Sequence, residues 1–213
     1  MGKQELKNIV KSFQNNEKVR ETVKQRLKEF QQKNQEDNNS WFNELCFCLL
    51  TANSSAKKGI EIQNYLSRMN DFQQMSQEKL TEALKRMGHR FYQKRAEFIV
   101  EARKYLEIKE IITRFNSESE SREWLVKSIK GIGYKEASHF LRNVGYHNIA
   151  ILDRHILSVL NDYKLIGEIP KSLTPKKYKE IEKIIIELAK EMKVLPSEMD
   201  LYLWYSKTGE VLK

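Results

Sequence analysis

Apolar residues recur along most of the chain at the three- and four-residue spacing of a helix face. The first set lies near the N-terminus and consists of Leu6, Ile9, Val10 and Phe13. Further sets follow at Val19, Val23, Leu27 and Phe30, at Leu80, Ala83, Leu84 and Met87, at Phe98, Ile99, Ala102 and Leu106, and at Ile108, Ile111, Ile112 and Phe115. Each set predicts an amphipathic helix with one buried side.

One segment differs because its apolar residues surround the predicted helix on all sides. It runs from Trp41 to Ala52, and we expect it at the centre of a helical lobe. Two helix starts are predicted late in the chain. Thr174 followed by Pro175 is typical of an N-cap and a first helical residue, and Ser197 with Asp200 resembles a capping box.

Neither a strand pair nor an internal repeat is evident, and helix breakers are scarce. The 213 residues include three prolines and eight glycines. The predicted fold class is therefore all-α. The chain lacks a run of 18 apolar residues and begins without an apolar secretory signal, so we expect a soluble protein in the cytoplasm and no association with a membrane.

The charge balance predicts a polyanionic partner. Lys and Arg total 38 against 29 Asp and Glu, a formal charge of +9. Such a surplus favours binding to phosphates, because their neutralisation releases counterions. Charge alone does not distinguish DNA, RNA and an acidic membrane.

Metal and thiol chemistry are not indicated. Cys46 and Cys48 are too few and too close for a disulfide framework or a four-thiolate site, and His147 and His155 do not have metal-ligand spacing. We therefore predict no catalytic metal and no cofactor.

A helix, a hairpin and a second helix are predicted between Leu125 and Val144. The break falls at Gly131-Ile132-Gly133, and the second helix would bury Ala137, Phe140, Leu141 and Val144. Two glycines allow a tight turn and leave backbone N–H groups free to bind a phosphate, with Lys130 and Lys127 adding charge. A Gly-x-Gly turn by itself equally fits a plain connection between helices.

Lys135 and Asp153 are the residues near this hairpin that could carry chemistry. Lys135 shares a helix side with Ser138, His139 and Arg142, a side that we expect to face a cleft or solvent. Asp153 precedes an amphipathic helix and fits an N-cap. On the residues alone, most lysines at such a place are solvated surface charges.

The hairpin, Lys135 and Asp153 together resemble the signature of the helix-hairpin-helix DNA glycosylases. More specifically, the run Ile129–Asn143, the pieces Arg90-Phe91-Tyr92 and Asn53-Ser54-Ser55, and the ending Met199–Gly209 are similar to the archaeal-type 8-oxoguanine DNA glycosylase/AP lyases. The resemblance covers roughly residues 41 to 213. Ile129-Lys130-Gly131 replaces the Leu-Pro-Gly of many superfamily members, and the four C-terminal cysteines of the endonuclease III branch are absent.

The resemblance implies an enzyme that removes 8-oxoguanine and then cuts the strand. Lys135 would be the nucleophile that forms a Schiff base with the sugar, and Asp153 would stabilise the cationic sugar. Backbone groups of Gly131, Ile132 and Gly133, with Lys130, would hold the DNA backbone. Family members often bind a monovalent cation at this hairpin. The implied partner is double-stranded DNA containing 8-oxoguanine, in a prokaryotic cell and without an obligate protein partner.

Lesion recognition is implied for four further residues. Phe91 and Trp204 would form the walls of the base pocket, although Trp204 beside Leu201 and Leu203 also fits a core position. A C-terminal lysine, here Lys213, would distinguish 8-oxoguanine from guanine. Asn53 would enter the DNA near the vacated space, or would simply end a helix.

Three other functions stay open on the sequence. One is a glycosylase of the same fold that acts on oxidised pyrimidines, and another is a non-enzymatic helix-hairpin-helix DNA-binding module. An RNA-binding helical protein is more distant, because no aromatic-rich RNA motif is present. In the predicted architecture, residues 41–152 form one lobe, residues 1–40 with 153–213 form the other, and a DNA-binding cleft lies between them.

Overall fold

A computed structural model describes residues 2–213, and within this range every regular element is helical. The helices are α1 (Lys3–Asn15), α2 (Glu17–Gln35), α3 (Asn38–Thr51), α4 (Ala56–Leu66), α5 (Asp71–Gln74), α6 (Gln77–Arg86), α7 (Tyr92–Ala102), α8 (Ile108–Thr113), α9 (Glu118–Ser128), α10 (Tyr134–Asn143), α11 (Arg154–Asp162), α12 (Pro175–Met192) and α13 (Pro196–Thr208). Two 3₁₀ turns occupy Ser67–Met69 and Arg103–Tyr105. The predicted all-α class is confirmed.

The chain divides into two compact units, one formed by Lys33–Val144 and the other by the segment ending at Gln32 together with Gly145–Lys213. These boundaries fall earlier than residues 41 and 152, which the sequence suggested. Lys33 belongs with α3 because its carbonyl accepts a hydrogen bond from the Trp41 indole N–H, 3.0 Å away. Leu152 belongs with α12 because its N–H donates to the Tyr178 hydroxyl, 3.1 Å away.

In the unit Lys33–Val144, α3 is the central helix. It packs against α4, α7, α8 and α10, and its side chains from Trp41 to Leu50, Asn43 excepted, are buried. This confirms that the apolar segment beginning at Trp41 is covered on all sides. Cys46 and Cys48 lie within it, both buried, and burial raises the pKa of the Cys46 thiol well above its usual range.

The side of α10 expected to face a cleft or solvent is buried instead. Ser138, His139 and Arg142 are each at most 6% exposed. The prediction was therefore wrong for these three residues. The Ser138 hydroxyl accepts a hydrogen bond from Arg122, the Arg142 guanidinium donates to the Asn143 side chain, and the His139 ring packs edge-on against Phe47. The Ser138 and Arg142 side chains are tolerated inside because neighbouring side chains supply hydrogen bonds to them.

The second unit is built on α11, α12 and α13, with α1 against α13. Thr174 caps α12 through its hydroxyl and Pro175 follows, as predicted. The capping box predicted at Ser197 and Asp200 is wrong, because α13 begins two residues earlier than that box would place it, at Pro196, with Leu195 as its N-cap. Proline suits the first turn of a helix, where its missing N–H costs nothing. The Ser197 N–H instead donates to the His147 carbonyl.

The hairpin connects α9 to α10 in a tight turn. Gly131 has φ +87°, a left-handed conformation that glycine adopts without strain, and the Ile132 N–H donates to the Ile129 carbonyl, 3.2 Å away. A Cβ atom on Gly131 would lie 2.3 Å from Cδ2 of Phe98 on α7. The hairpin therefore lies directly against α7, in a position that requires glycine.

None of the helices formed by residues 2–213 combines the length and apolarity needed to cross a bilayer.

Replacing Gly131 by Ala should lower the free energy of unfolding by about 2 kcal/mol or more, because a left-handed backbone and a crowded contact are imposed together. Chemical denaturation would measure this change. Gly167→Ala is the matched control, since Gly167 is exposed and its Cβ would meet nothing within 4 Å. Equal stability of the two variants would contradict the tight approach of the hairpin to Phe98.

Candidate functional site

Lys135 is the second residue of α10, directly after the hairpin. Its side chain is 25% exposed, and its Nζ lies 3.7 Å from the Glu136 Oε1 atom. The other oxygen of Glu136 accepts a hydrogen bond from the Gly133 N–H, 3.2 Å away. A partly sheltered amine therefore stands at the N-terminus of a helix, beside a carboxylate that is itself held by the hairpin.

The hairpin groups predicted to bind phosphate have partners of their own in this structure. The N–H groups of Ile132 and Gly133 donate to the Ile129 carbonyl and to Glu136. The Lys130 ammonium pairs with two carboxylates of α7, Glu97 at 2.9 Å and Glu101 at 3.3 Å. The hydrogen bond to Glu97 is the main reason why the pKa of Lys130 is raised. A phosphate at this hairpin would have to replace carboxylate contacts.

A monovalent cation at the hairpin would take backbone carbonyl oxygens, which are the hard ligands such ions prefer. The Ile129 carbonyl already accepts the Ile132 N–H, and a carbonyl oxygen has two lone pairs, so it could serve both. The Ile129 carbonyl could therefore be one ligand of such a cation. Among residues 2–213, no group of three or more His, Cys, Asp or Glu side chains could hold a metal ion.

Phe91 precedes α7 and is half-buried, with cations against its ring. The Arg90 guanidinium lies 4.7 Å from the ring centroid and that of Arg95 5.8 Å. The Phe91 N–H donates to Nδ1 of His89, 3.1 Å away. The backbone of Phe91 is therefore held by a hydrogen bond, while part of the surface of its ring stays accessible to solvent.

His89 and Arg95 tie this region to the end of α3. His89 Nε2 lies 2.8 Å from the Leu50 carbonyl and must donate to it, so Nδ1 carries the lone pair that accepts from Phe91. Burial lowers the pKa of His89, which favours this neutral form. Arg95 donates to the Ala52 carbonyl at 2.6 Å, next to exposed Asn53, whose φ is +55°. The backbone next to Asn53 and the backbone of Phe91 are therefore both held in place by hydrogen bonds.

The roles of His89 and Arg95 were missed in the sequence, although one signal was present. Phe91, Arg95 and Phe98 have the i, i+4, i+7 spacing of a single helix side, and Arg95 lies within 6 Å of both rings. An arginine between two aromatic residues at this spacing predicts a buried cation stacked between rings.

In the other unit, the structure brings Asp153 and Trp204 together. Asp153 is the N-cap of α11, as predicted, and its Oδ1 accepts from the N–H groups of His155 and Ile156, both at 2.9 Å. Its Oδ2 accepts from the Trp204 indole N–H at 3.1 Å. Trp204 is half-buried, so it is not the fully enclosed core residue that its apolar neighbours also allowed.

The segment that ends at Lys213 follows α13 directly. Gly209 ends α13 with φ +70°, the Thr208 hydroxyl donates to the Trp204 carbonyl at 2.9 Å, and the Glu210 N–H donates to Thr208 at 3.3 Å. Lys213 is itself partly exposed. The start of the tail is therefore held against the last turn of α13.

An all-helical chain with a helix-hairpin-helix, a lysine directly after the hairpin and an aspartate at a later N-cap has the features of the helix-hairpin-helix DNA glycosylases. A sequence model for the 8-oxoguanine DNA glycosylase family matches residues 23–194. The chain is 50% identical to the 8-oxoguanine DNA glycosylase/AP lyase of Methanocaldococcus jannaschii, over 93% of this chain and 95% of the relative. Identity to the enzyme of the same name from Korarchaeum cryptofilum is 46%, over 100% of both chains.

Solved structures agree with these relatives. A crystal structure of the Methanocaldococcus jannaschii 8-oxoguanine glycosylase/lyase in complex with a 15mer DNA containing 8-oxoguanine matches 98% of this chain and 99% of its own, with a TM-score of 0.95 and 48% identity. The 8-oxoguanine DNA glycosylase of Thermotoga maritima matches 99% and 100%, with a TM-score of 0.92 and 42% identity. The chain belongs to the 8-oxoguanine DNA glycosylase family.

The neutral state of buried His89 makes stability depend on pH. Its pKa in the folded protein lies below the ordinary value of 6.5, so the unfolded chain binds a proton that the folded one does not. The free energy of unfolding should therefore fall as the pH drops below 6.5, by at most about 1.4 kcal/mol per pH unit from this group.

Denaturation at pH 7.5, 6.5 and 5.5 should show a smaller decline for His89→Gln than for the unaltered protein. Glutamine keeps a donor and an acceptor but does not titrate in this range. The difference in the free energy of unfolding between the two proteins at pH 7.5 measures the effect of the substitution on packing. Parallel declines of the two proteins would contradict a neutral His89.

Proposed function

We propose that the protein is a bifunctional DNA glycosylase/AP lyase that removes 8-oxoguanine from double-stranded DNA and then cuts the strand by β-elimination. The observation that carries this proposal is the partly sheltered Lys135 amine at the first turn of α10, directly after the hairpin. The relatives named above, which match nearly the whole chain, support the substrate.

The reaction must begin with the damaged nucleotide outside the stack, because its anomeric carbon is inaccessible within the duplex. The Lys135 nitrogen forms a bond to that carbon as the bond to the base breaks, and the base leaves with the bonding electron pair. The lysine gives up a proton and the departing base takes one, so protons balance. The sugar ring opens to a Schiff base, β-elimination expels the 3′ phosphate, and water then releases the lysine.

Asp153 would act on the charge that develops in this reaction. Positive charge accumulates on the sugar as the base departs, and a carboxylate in a fixed position stabilises it without reorganising. Its Oδ1 atom is held by two backbone N–H groups at the start of α11. Loss of the carboxylate should therefore reduce the rate of base removal more than it reduces DNA affinity.

The remaining predicted residues would bind and select the DNA. Backbone N–H groups at Gly131, Ile132 and Gly133, with Lys130, would hold a phosphate without reading sequence. Phe91 and Trp204 would stack on the extruded base, and Asn53 would occupy the space it leaves. Lys213 would distinguish 8-oxoguanine from guanine. A chromosomal substrate also supports a cytoplasmic location in a prokaryotic cell.

Borohydride trapping tests the nucleophile and separates this function from the alternatives. The protein should form a covalent adduct on a duplex containing 8-oxoguanine, and Lys135→Gln should abolish it, because an amide cannot form a Schiff base. Lys177→Gln is the matched control, since Lys177 is exposed and pairs with Glu180 on α12.

An adduct with Lys135→Gln would refute the assigned nucleophile. A protein that binds the duplex without any adduct would be a DNA-binding module. Faster cleavage of a thymine glycol duplex than of an 8-oxoguanine duplex would indicate the pyrimidine-specific alternative.

Lys213→Met should reduce the preference for 8-oxoguanine over guanine about tenfold or more, since a hydrogen-bonding group that reads the lesion would be lost. Single-turnover base release from the two duplexes would measure the ratio. Lys207→Met, which removes the same charge from the exposed side of α13 where it pairs with Asp162, is the control. An unchanged ratio would exclude Lys213 from lesion selection.

A further inference from the structure

The two oxygens of Asp153 are held by different parts of the chain. Oδ1 accepts both backbone hydrogen bonds at the start of its own helix, while Oδ2 accepts the indole N–H of Trp204 from α13. Because both oxygens have partners, rotation of the carboxylate about its terminal bond would break at least one hydrogen bond. The backbone bonds alone would fix Oδ1 and leave the direction of Oδ2 less restrained.

The Trp204 ring is held by more than this hydrogen bond. The His155 ring packs against it edge-on, with centroids 5.9 Å apart and planes at 80°. His155 is also one of the two residues whose N–H groups bind Oδ1. The carboxylate, the indole and the first turn of α11 therefore form one connected arrangement, in which displacement of the indole displaces the partner of Oδ2.

An indole N–H can only donate a hydrogen bond, so the Oδ2 atom of Asp153 is held as its acceptor. The distance of 3.1 Å lies within the ordinary range for an N–H···O hydrogen bond.

We propose that Trp204 is a positioning residue for Asp153, in addition to being a wall of the base pocket. Its N–H fixes the direction of Oδ2, so the side chain that stacks on the extruded base also positions the carboxylate that assists the departure of that base. A base that does not lie flat on the indole would disturb the carboxylate and would be released slowly. This inference rests on the proposed function.

The test is to remove the N–H and keep the aromatic surface. Trp204→Phe does so with a smaller ring, and replacement of Trp204 by 3-benzothienylalanine does so with an unchanged bicyclic shape. Base release from an 8-oxoguanine duplex is measured under single-turnover conditions with enzyme in excess, from pH 5 to 8. DNA affinity is measured separately in a Lys135→Gln background, where no turnover occurs.

Both variants should release the base about tenfold more slowly at neutral pH, with DNA affinity changed less than threefold. In an Asp153→Asn background, where asparagine still caps α11, Trp204→Phe should cost no further rate. Trp124→Phe is the control, since Trp124 packs against Tyr105 and Phe115 in the other unit.

The inference is overturned if the rate at saturating enzyme stays unchanged in both variants, or if Trp204→Phe slows the Asp153→Asn protein as much as the unaltered one. Trp204 would then act solely as a pocket wall, and the proposed function would stand. If the unaltered protein released no 8-oxoguanine, the proposed function would fail and this inference with it.

Discussion

The close approach of the hairpin to α7 is the constraint on which much of the unit Lys33–Val144 depends. Gly131 has no side chain, and the Phe98 ring occupies the space that a Cβ would need. The same helix pairs Glu97 and Glu101 with Lys130, holds Arg95 against the carbonyl of Ala52, and is preceded by Phe91. The positions of four features predicted to contact DNA therefore depend on where α7 lies. These features are Asn53, Phe91, Lys130 and the hairpin turn.

Asp153 shows how a folding interaction and a chemical one can share a side chain. As an N-cap it satisfies two N–H groups that α11 could not satisfy itself, a contribution of about 1 kcal/mol in typical helices. That hydrogen bonding uses one oxygen and leaves the second directed toward α13, where it meets the indole of Trp204. The position of the carboxylate is therefore set by the fold before any substrate arrives.

Local patterns predicted what is determined locally. Helix periodicity, the Thr174-Pro175 start, the glycine turn and the cap at Asp153 all depend on residues within one or two turns, and the structure confirms them. The buried polar side of α10 was predicted wrongly because part of what covers it is distant in sequence. The His139 ring, for example, packs against Phe47, 92 positions earlier. The false capping box at Ser197 satisfied the pattern, but Pro196 took the first turn of the helix.

The sequence predicted which residues belong to the candidate site much better than it predicted how they are arranged in space. Lys135 and Asp153 stood out through a family resemblance, whereas periodicity alone left both as surface or capping residues. Nothing in the sequence pairs Trp204 with Asp153, because that contact depends on how α11 and α13 pack. His89 was similarly hidden, since its role depends on a carbonyl of α3 that lies 39 residues away.

The enclosed cysteines of α3 have a consequence for how this protein would withstand the conditions that create its proposed substrate. Guanine is oxidised under the same stress that converts thiolates to sulfenic and higher acids, and the thiolate is the vulnerable form. Cys46 and Cys48 are excluded from solvent, and burial keeps Cys46 in its protonated state. The nucleophile assigned to the reaction is a nitrogen atom and both thiols are enclosed, so neither cysteine gives peroxide a ready route to inactivate the enzyme.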